Sequence, residues 1–124
     1  MSQHIERINN KAYVINSFKG GEGWSYLPRL AKYVFPFIGF MFNENKDDSE
    51  IISQLIGLLS DENQKEVEQL FVDLVSNVEV DNMKIDFDKE FAENYDAFLL
   101  LVIQVIKLNY LKSFQRLVTN LPKA

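Results

Sequence analysis

Apolar positions along this chain change their spacing several times, and each change marks an element. In "HIERINNKAYVINSF" (His4–Phe18) the period is two: Ile5 and Arg7, then Tyr13 and Ile15, alternate with polar neighbours. Asn9-Asn10 between the runs tolerates the positive φ of a tight turn, so the pattern predicts a β-hairpin. Two strands alone are marginal in water, and this ribbon is expected to lie on something else. "KGGEG" (Lys19–Gly23) reads as a flexible joint. After it the spacing becomes helical, with Trp24, Leu27, Leu30, Ala31, Val34, Ile38 and Met41 at steps of three and four. Pro28 suits a first turn, and Pro36 is expected to kink or divide the helix.

"NENKDDSE" is a polar loop that ends in Asp48 or Ser49 as N-cap, with Glu50 in the first turn. A short helix follows, with Ile51, Ile52, Leu55, Leu58 and Leu59 facing inward. Ser60 or Asp61 then caps a further helix, and Asp61 with Gln64 is compatible with a capping box. Its apolar stripe is Val67, Leu70, Phe71, Leu74 and Val75, with Glu62, Lys65, Glu66, Glu68 and Asp73 outside. "VEVDNMKID" again predicts two short strands, around Asp81-Asn82. In "KIDFDKEF" a strand would put Ile85 and Phe87 on one face and Asp86 and Asp88 on the other, while Asp88 could instead cap a turn running through Phe91. The longest helix runs from about Asn94 to Leu111 or beyond. Between Tyr95 and Leu108 only Asp96, Gln104 and Lys107 are polar, as in a central helix or an interface.

The fold class these patterns predict is mainly α. It is a small helical domain of about four helices, with an N-terminal β-hairpin and a second short hairpin before the last long helix. Residues 1–124 are expected to form a single domain, with 1–19 as a hairpin arm and 117–124 as a tail. At 124 residues and 14.4 kDa the chain has the length for one core. Its 47% hydrophobic and 25% charged residues are those of a globular rather than a disordered protein.

Charge and chemistry narrow the function. Residues 1–42 carry +3, residues 43–97 carry −12 and residues 98–124 carry +4, within a net −5. The acidic middle argues against a nucleic-acid groove along the domain, since phosphate binding needs a continuous basic surface. Cys is absent, so thiolate metal sites and disulfides play no part. The N-terminus "MSQHIERINN" is polar and lacks the apolar region of a signal peptide. "YVFPFIGFMF" (Tyr33–Phe42) and "AFLLLVIQVI" (Ala97–Ile106) each run ten residues, about half a bilayer span, and read as buried helix rather than membrane segments.

The carboxylates of "DFDKEF" are the nearest approach to a reactive site. An EF-hand loop from Asp86 needs Gly sixth and Glu twelfth, where this chain has Phe91 and Ala97; the loop from Asn43 has Asp48 and Gln54 there. Residue type permits an acid pair for glycoside hydrolysis, but two carboxylates are a weak coincidence among eighteen acids. Surface or structural carboxylates are the stronger reading. "GGEGWS" fits neither phosphate-binding fingerprint, for GK[ST] is missing and Tyr26 stands where GxGxxG needs its last Gly. His4 is the single His, with no partner for Ser-His or metal chemistry. Trp24 and the phenylalanines at 35, 37, 40 and 42 lack interleaved basic residues, which favours core or interface over base stacking.

The order of these landmarks resembles a known family. "VEVDNMKIDFDKEFAENYDAFLLLVIQVIKLNYLKSF" is similar to the C-terminal half of small tail assembly chaperones of long-tailed bacteriophages. There a valine-rich strand and a turn lead to "DFDxxFA" (here Asp86–Ala92), an acidic or Asn residue (Asn94), a long apolar helix and "xxNYxxxF" (Asn109-Tyr110 to Phe114). "INSFKGGEGWSYLPRLAKYVFPFIGFM" looks like the family's loop and Leu-rich helix, so the likeness spans roughly 12–116. The chain departs from the pattern at Pro36 and in the extension "SFQRLVTNLPKA".

The resemblance implies an all-helical scaffold protein without catalysis, cofactor or metal, acting in the cytoplasm of the infected bacterial host. Its expected partners are the tape measure protein, which it would keep soluble, and the tail tube protein, which it would help recruit; neither nucleic acid nor membrane is among them. Surplus apolar surface predicts a homo-oligomer as well. The candidate surface for client or second copy comprises Phe35, Phe37, Phe40 and Phe42 in the aromatic run and Leu101, Val105, Tyr110 and Phe114 in the last helix. The alternative is a small acidic adaptor or inhibitor that acts by protein–protein interaction through its −12 segment.

Overall fold

The computed structural model describes residues 3–34, 48–60 and 63–120. In chain order the elements are β1 (Gln3–Ile8), β2 (Lys11–Asn16), α1 (Gly20–Tyr33), α2 (Asp48–Leu59), α3 (Gln64–Leu74), β3 (Glu79–Val80), β4 (Met83–Lys84), α4 (Phe87–Glu90) and α5 (Tyr95–Ile106). A π-helical turn (Lys107–Leu111) then joins α5 directly to α6 (Lys112–Asn120). The expectation of a mainly helical fold with two hairpins agrees with this order.

Both hairpins form where their turn residues place them. Asn9 and Asn10 take φ of 52° and 67°, and Asp81 and Asn82 take 53° and 66°. Two successive positive φ values make the turn whose twist matches paired strands, and after Gly it is Asn and Asp that enter that region most readily. The sequence treats the hairpins as separate, but β2 pairs antiparallel with β3, Tyr13 opposite Val80 and Val14 opposite Glu79. One four-stranded sheet results, in the order β1-β2-β3-β4.

The inner face of this sheet carries Ile8, Tyr13, Ile15 and Val80, all buried. Ile5 belongs to the other face and is 60% exposed, because the register sets His4, Glu6 and Ile8 beside Ile15 and Tyr13 instead. The alternation Ile5–Arg7 therefore marks a strand but not its buried side.

α1 begins earlier than its spacing suggests. Gly20–Gly23, expected as a flexible joint, is its first turn, with the Gly23 N–H donating to the Lys19 carbonyl at 2.9 Å. Pro28 consequently lies inside the helix rather than in its first turn, and the Trp24 carbonyl gets no donor from it. Of the described residues in the expected stripe only Leu30 and Val34 are buried; Trp24 and Ala31 are exposed. Ile38, Met41 and Pro36 lie outside the described residues, as do Asp61 and Glu62. α1 is tied to the end of α3 by Arg29 Nη1 to Asp73 Oδ2 at 2.9 Å, and Asn77 Nδ2 donates to Glu22 Oε2 at 3.0 Å.

α2 buries Ile51, Leu55 and Leu58, with Ile52 and Leu59 half-buried against them. α3 buries Val67, Leu70, Phe71 and Leu74, and Val75 follows, as the spacing predicts. α5 is the central helix: Ala97, Leu99, Leu101, Val102, Ile103, Val105 and Ile106 are all buried, which accounts for its apolar circumference. Through the π turn the helix continues over Tyr95–Arg116, 22 residues. That is about 33 Å, long and apolar enough to cross a bilayer, whereas the ten-residue stretch seen in the sequence was not. The fold gives the apolar residues of α5 another place, between the sheet, α2 and α3.

Candidate protein-binding groove

The π turn is held to the β2–α1 junction by two side chains. Asn109 Oδ1 accepts the Phe18 backbone N–H at 2.7 Å, and its Nδ2 donates to the Val105 carbonyl at 2.9 Å. Tyr110 next to it donates its hydroxyl to the Gly23 carbonyl at 2.7 Å. Burial foremost, then the nearby Tyr26 and Glu22, raise the Tyr110 pKa, so its hydroxyl stays a neutral donor. A π turn shifts backbone pairing from i+4 to i+5 and is frequent at functional sites. Here it aims two consecutive side chains at one loop.

Between α1 and the π turn lies an apolar groove of about 350 Å³, walled by Phe18, Trp24, Leu27, Asn109, Tyr110 and Phe114. The Phe18 and Tyr110 rings sit 6.4 Å apart, as do Tyr110 and Phe114, while Phe18 packs on Tyr26 at 5.1 Å. Trp24 stands at the rim with 74% of its surface exposed. A large aromatic in that position is costly to leave in water and typical of binding anchors. A second apolar hollow, about 360 Å³, lies between Leu59, Val72, Phe87, Tyr95, Phe98 and Leu99, with Glu68 on its edge. Phe87 and Phe98 meet edge-to-face there, 4.9 Å apart.

The candidate surface named from the sequence divides accordingly. Tyr110 and Phe114 line the first groove, Tyr110 by a ring that is otherwise buried. Leu101 and Val105 are core, at 0% and 1% exposure, and offer no surface. Their helix is buried on nearly every side, so apolar spacing alone could not separate an inner from an outer face. Phe35, Phe37, Phe40 and Phe42 lie outside the described residues. Sequence reasoning missed Trp24 as an exposed rim residue by counting it in the stripe of α1; its place one turn before Pro28 was the available signal.

The carboxylates of "DFDKEF" do not converge. Asp86 and Asp88 are exposed, in a helical turn rather than a strand: Phe87–Glu90 is α4, with Asp86 at its N-cap position. Glu90 instead reaches back to the first hairpin. Its Oε2 accepts the Tyr13 hydroxyl at 2.7 Å and the Lys11 ammonium at 3.0 Å. Burial pushes the Glu90 pKa up, but the Tyr13 hydrogen bond and Lys11 outweigh it, and the net shift is downward. Among the described residues no three of His, Asp and Glu stand close enough to hold a metal ion. The grooves can take apolar side chains, and Glu90 serves to fasten the hairpin.

The model of one protein family, described as phage tail assembly chaperone protein, TAC, matches residues 9–122. No curated protein and no solved structure matches. The match covers most of the chain, including both hairpins' turns, the groove and the Asn109-Tyr110 clamp, and it shows that this protein belongs to the phage tail assembly chaperone family.

Proposed function

We propose that this chaperone binds the tape measure protein, keeps it soluble in the host cytoplasm until tail assembly, and helps recruit tail tube subunits to it, without catalysis. One observation carries the reading: an apolar groove with an exposed Trp24 at its rim, whose walls the Asn109-Tyr110 clamp ties together. A tape measure is a long chain with apolar helical stripes, and an aromatic-rimmed groove takes the side chains of one such stripe. Trp24 is the anchor in this scheme, since buried Trp residues carry a disproportionate share of binding energy, about 2 kcal/mol or more each.

Coexpression with the tape measure protein tests this. Trp24→Glu should leave the chaperone folded, as its side chain is largely in water, and cut the soluble tape measure captured at least tenfold. Capture by the unaltered chain should survive ~1 M salt, at which a Debye length of about 3 Å removes contacts made through the −12 acidic segment. Equal capture by Trp24→Glu, or capture that vanishes in salt, overturns the groove and favours the acidic adaptor.

A further inference from the structure

The two apolar hollows differ in the charge at their rims. The second has Glu68 as its one charged lining residue, whereas the first has Lys19. Lys19 is exposed and stands at the N-cap position of α1. The opposite wall is the π turn and the start of α6, within a stretch, residues 98–124, that carries Lys and Arg and no acid. Lys112 precedes the lining residue Ser113, and Arg116 follows it by about one turn. Both are exposed. Lys19, Lys112 and Arg116 form no ion pair among the described residues.

The acid nearest this groove in sequence is engaged elsewhere. Glu22 of α1 accepts from Asn77 at 3.0 Å and lines a separate polar recess. The wall of that recess also includes Lys19, but no ion pair joins the two. The first turn of α1 adds the positive end of a 14-residue helix that has no side-chain cap, and Gly20 of that turn lines the groove. Both walls of an apolar groove thus offer positive charge without a partner.

We propose, resting on the groove as the client site, that the segment seated there is an apolar helical stripe flanked by Asp and Glu. Its carboxylates meet Lys19 on one wall and Lys112 and Arg116 on the other. Trp24 and the aromatic lining supply affinity, since apolar burial has no preference of sign. The cations choose among apolar helices of similar shape. This preference runs against the charge of the whole chain. At net −5 the molecule attracts basic segments, so a choice of acidic ones has to come from the groove.

Trp24 is the chain's single Trp and 74% exposed, so its fluorescence reports the groove and not the second hollow. Two synthetic helices without Trp serve as probes. They share one Leu/Phe stripe, which Glu flanks in the first and Lys in the second. In ~0.01 M salt, where the Debye length is about 30 Å, the Glu helix should shift Trp24 emission to shorter wavelength with about tenfold the affinity of the Lys helix. In ~1 M salt both should still bind, within about twofold of each other, because screening removes the choice and leaves the apolar contact. The triple variant Lys19→Glu, Lys112→Glu, Arg116→Glu alters exposed side chains alone, and should keep the helical circular dichroism while preferring the Lys helix. The milder pair Lys19→Gln, Arg116→Gln should bring the two affinities together. Equal affinities in the unaltered chain, a Lys preference there, or a Glu preference that survives these substitutions overturns the inference; where Trp24 still shifts, the groove itself stands. Emission moved by neither helix overturns both.

Discussion

Replacing Asn109 by Ala removes one of the two bonds by which the π turn grips the β2–α1 junction, and with it the bond that ties the same side chain to the Val105 carbonyl of its own helix. The Phe18 N–H, half-buried, loses an acceptor at 2.7 Å; the carbonyl of Val105, a residue 1% exposed, loses a donor at 2.9 Å. An unsatisfied buried donor costs about 1–3 kcal/mol, and a typical lost bond about 0.5–1.5 kcal/mol. Water reaches part of the Phe18 site, so the lower end of the first range applies, and the sum is about 2 kcal/mol. For a chain of this length, roughly 4 °C per kcal/mol lowers the melting temperature by about 8 °C. Urea denaturation gives the free energy, and hydrogen exchange localises it: the Phe18 amide should lose its protection before the amides of α3 do. A loss below about 0.5 kcal/mol, or an unchanged Phe18 exchange rate, would refute the clamp and leave the π turn a passive widening of the helix.

Glu90→Gln should cost about 1.5–3 kcal/mol at pH 7, the range for hydrogen bonds to a charged group, whereas Asp86→Asn and Asp88→Asn, exposed, should each stay within about 0.5 kcal/mol in the same melts. Because the folded Glu90 pKa is lowered, its contribution is present above the unfolded carboxylate pKa and disappears as pH falls through the folded one; acid titration of stability should be shallower in Glu90→Gln than in the wild type. Gly21→Ala should stabilise the protein by about 0.4–1 kcal/mol, since Gly21 does not have positive φ and nothing lies within 4 Å of the added Cβ; a lower urea midpoint would count against the helical placement of "KGGEG".

Local chemistry decided what the sequence determined. Asn9-Asn10 and Asp81-Asn82 mark both turns because positive φ is a property of single residues, and the turn then sets the strands around it. The α3 stripe is legible because one exposed face leaves a clear period, and the landmarks from Asp86 to Phe114 were enough to suggest the family. What only the tertiary structure decided depends on distant partners. Gly20–Gly23 is helix rather than joint with Tyr110, 87 residues beyond Gly23, on its carbonyl and Asn109, 91 beyond Phe18, on the preceding strand's end. Glu90 looked like its exposed neighbours until Tyr13, 77 residues earlier, took up its oxygen. Leu101 and Val105 looked like surface candidates because a helix apolar all round has no readable direction. The union of two hairpins in one sheet has the same origin: turn residues fix which strands are formed, and only packing against α5 fixes which of them meet.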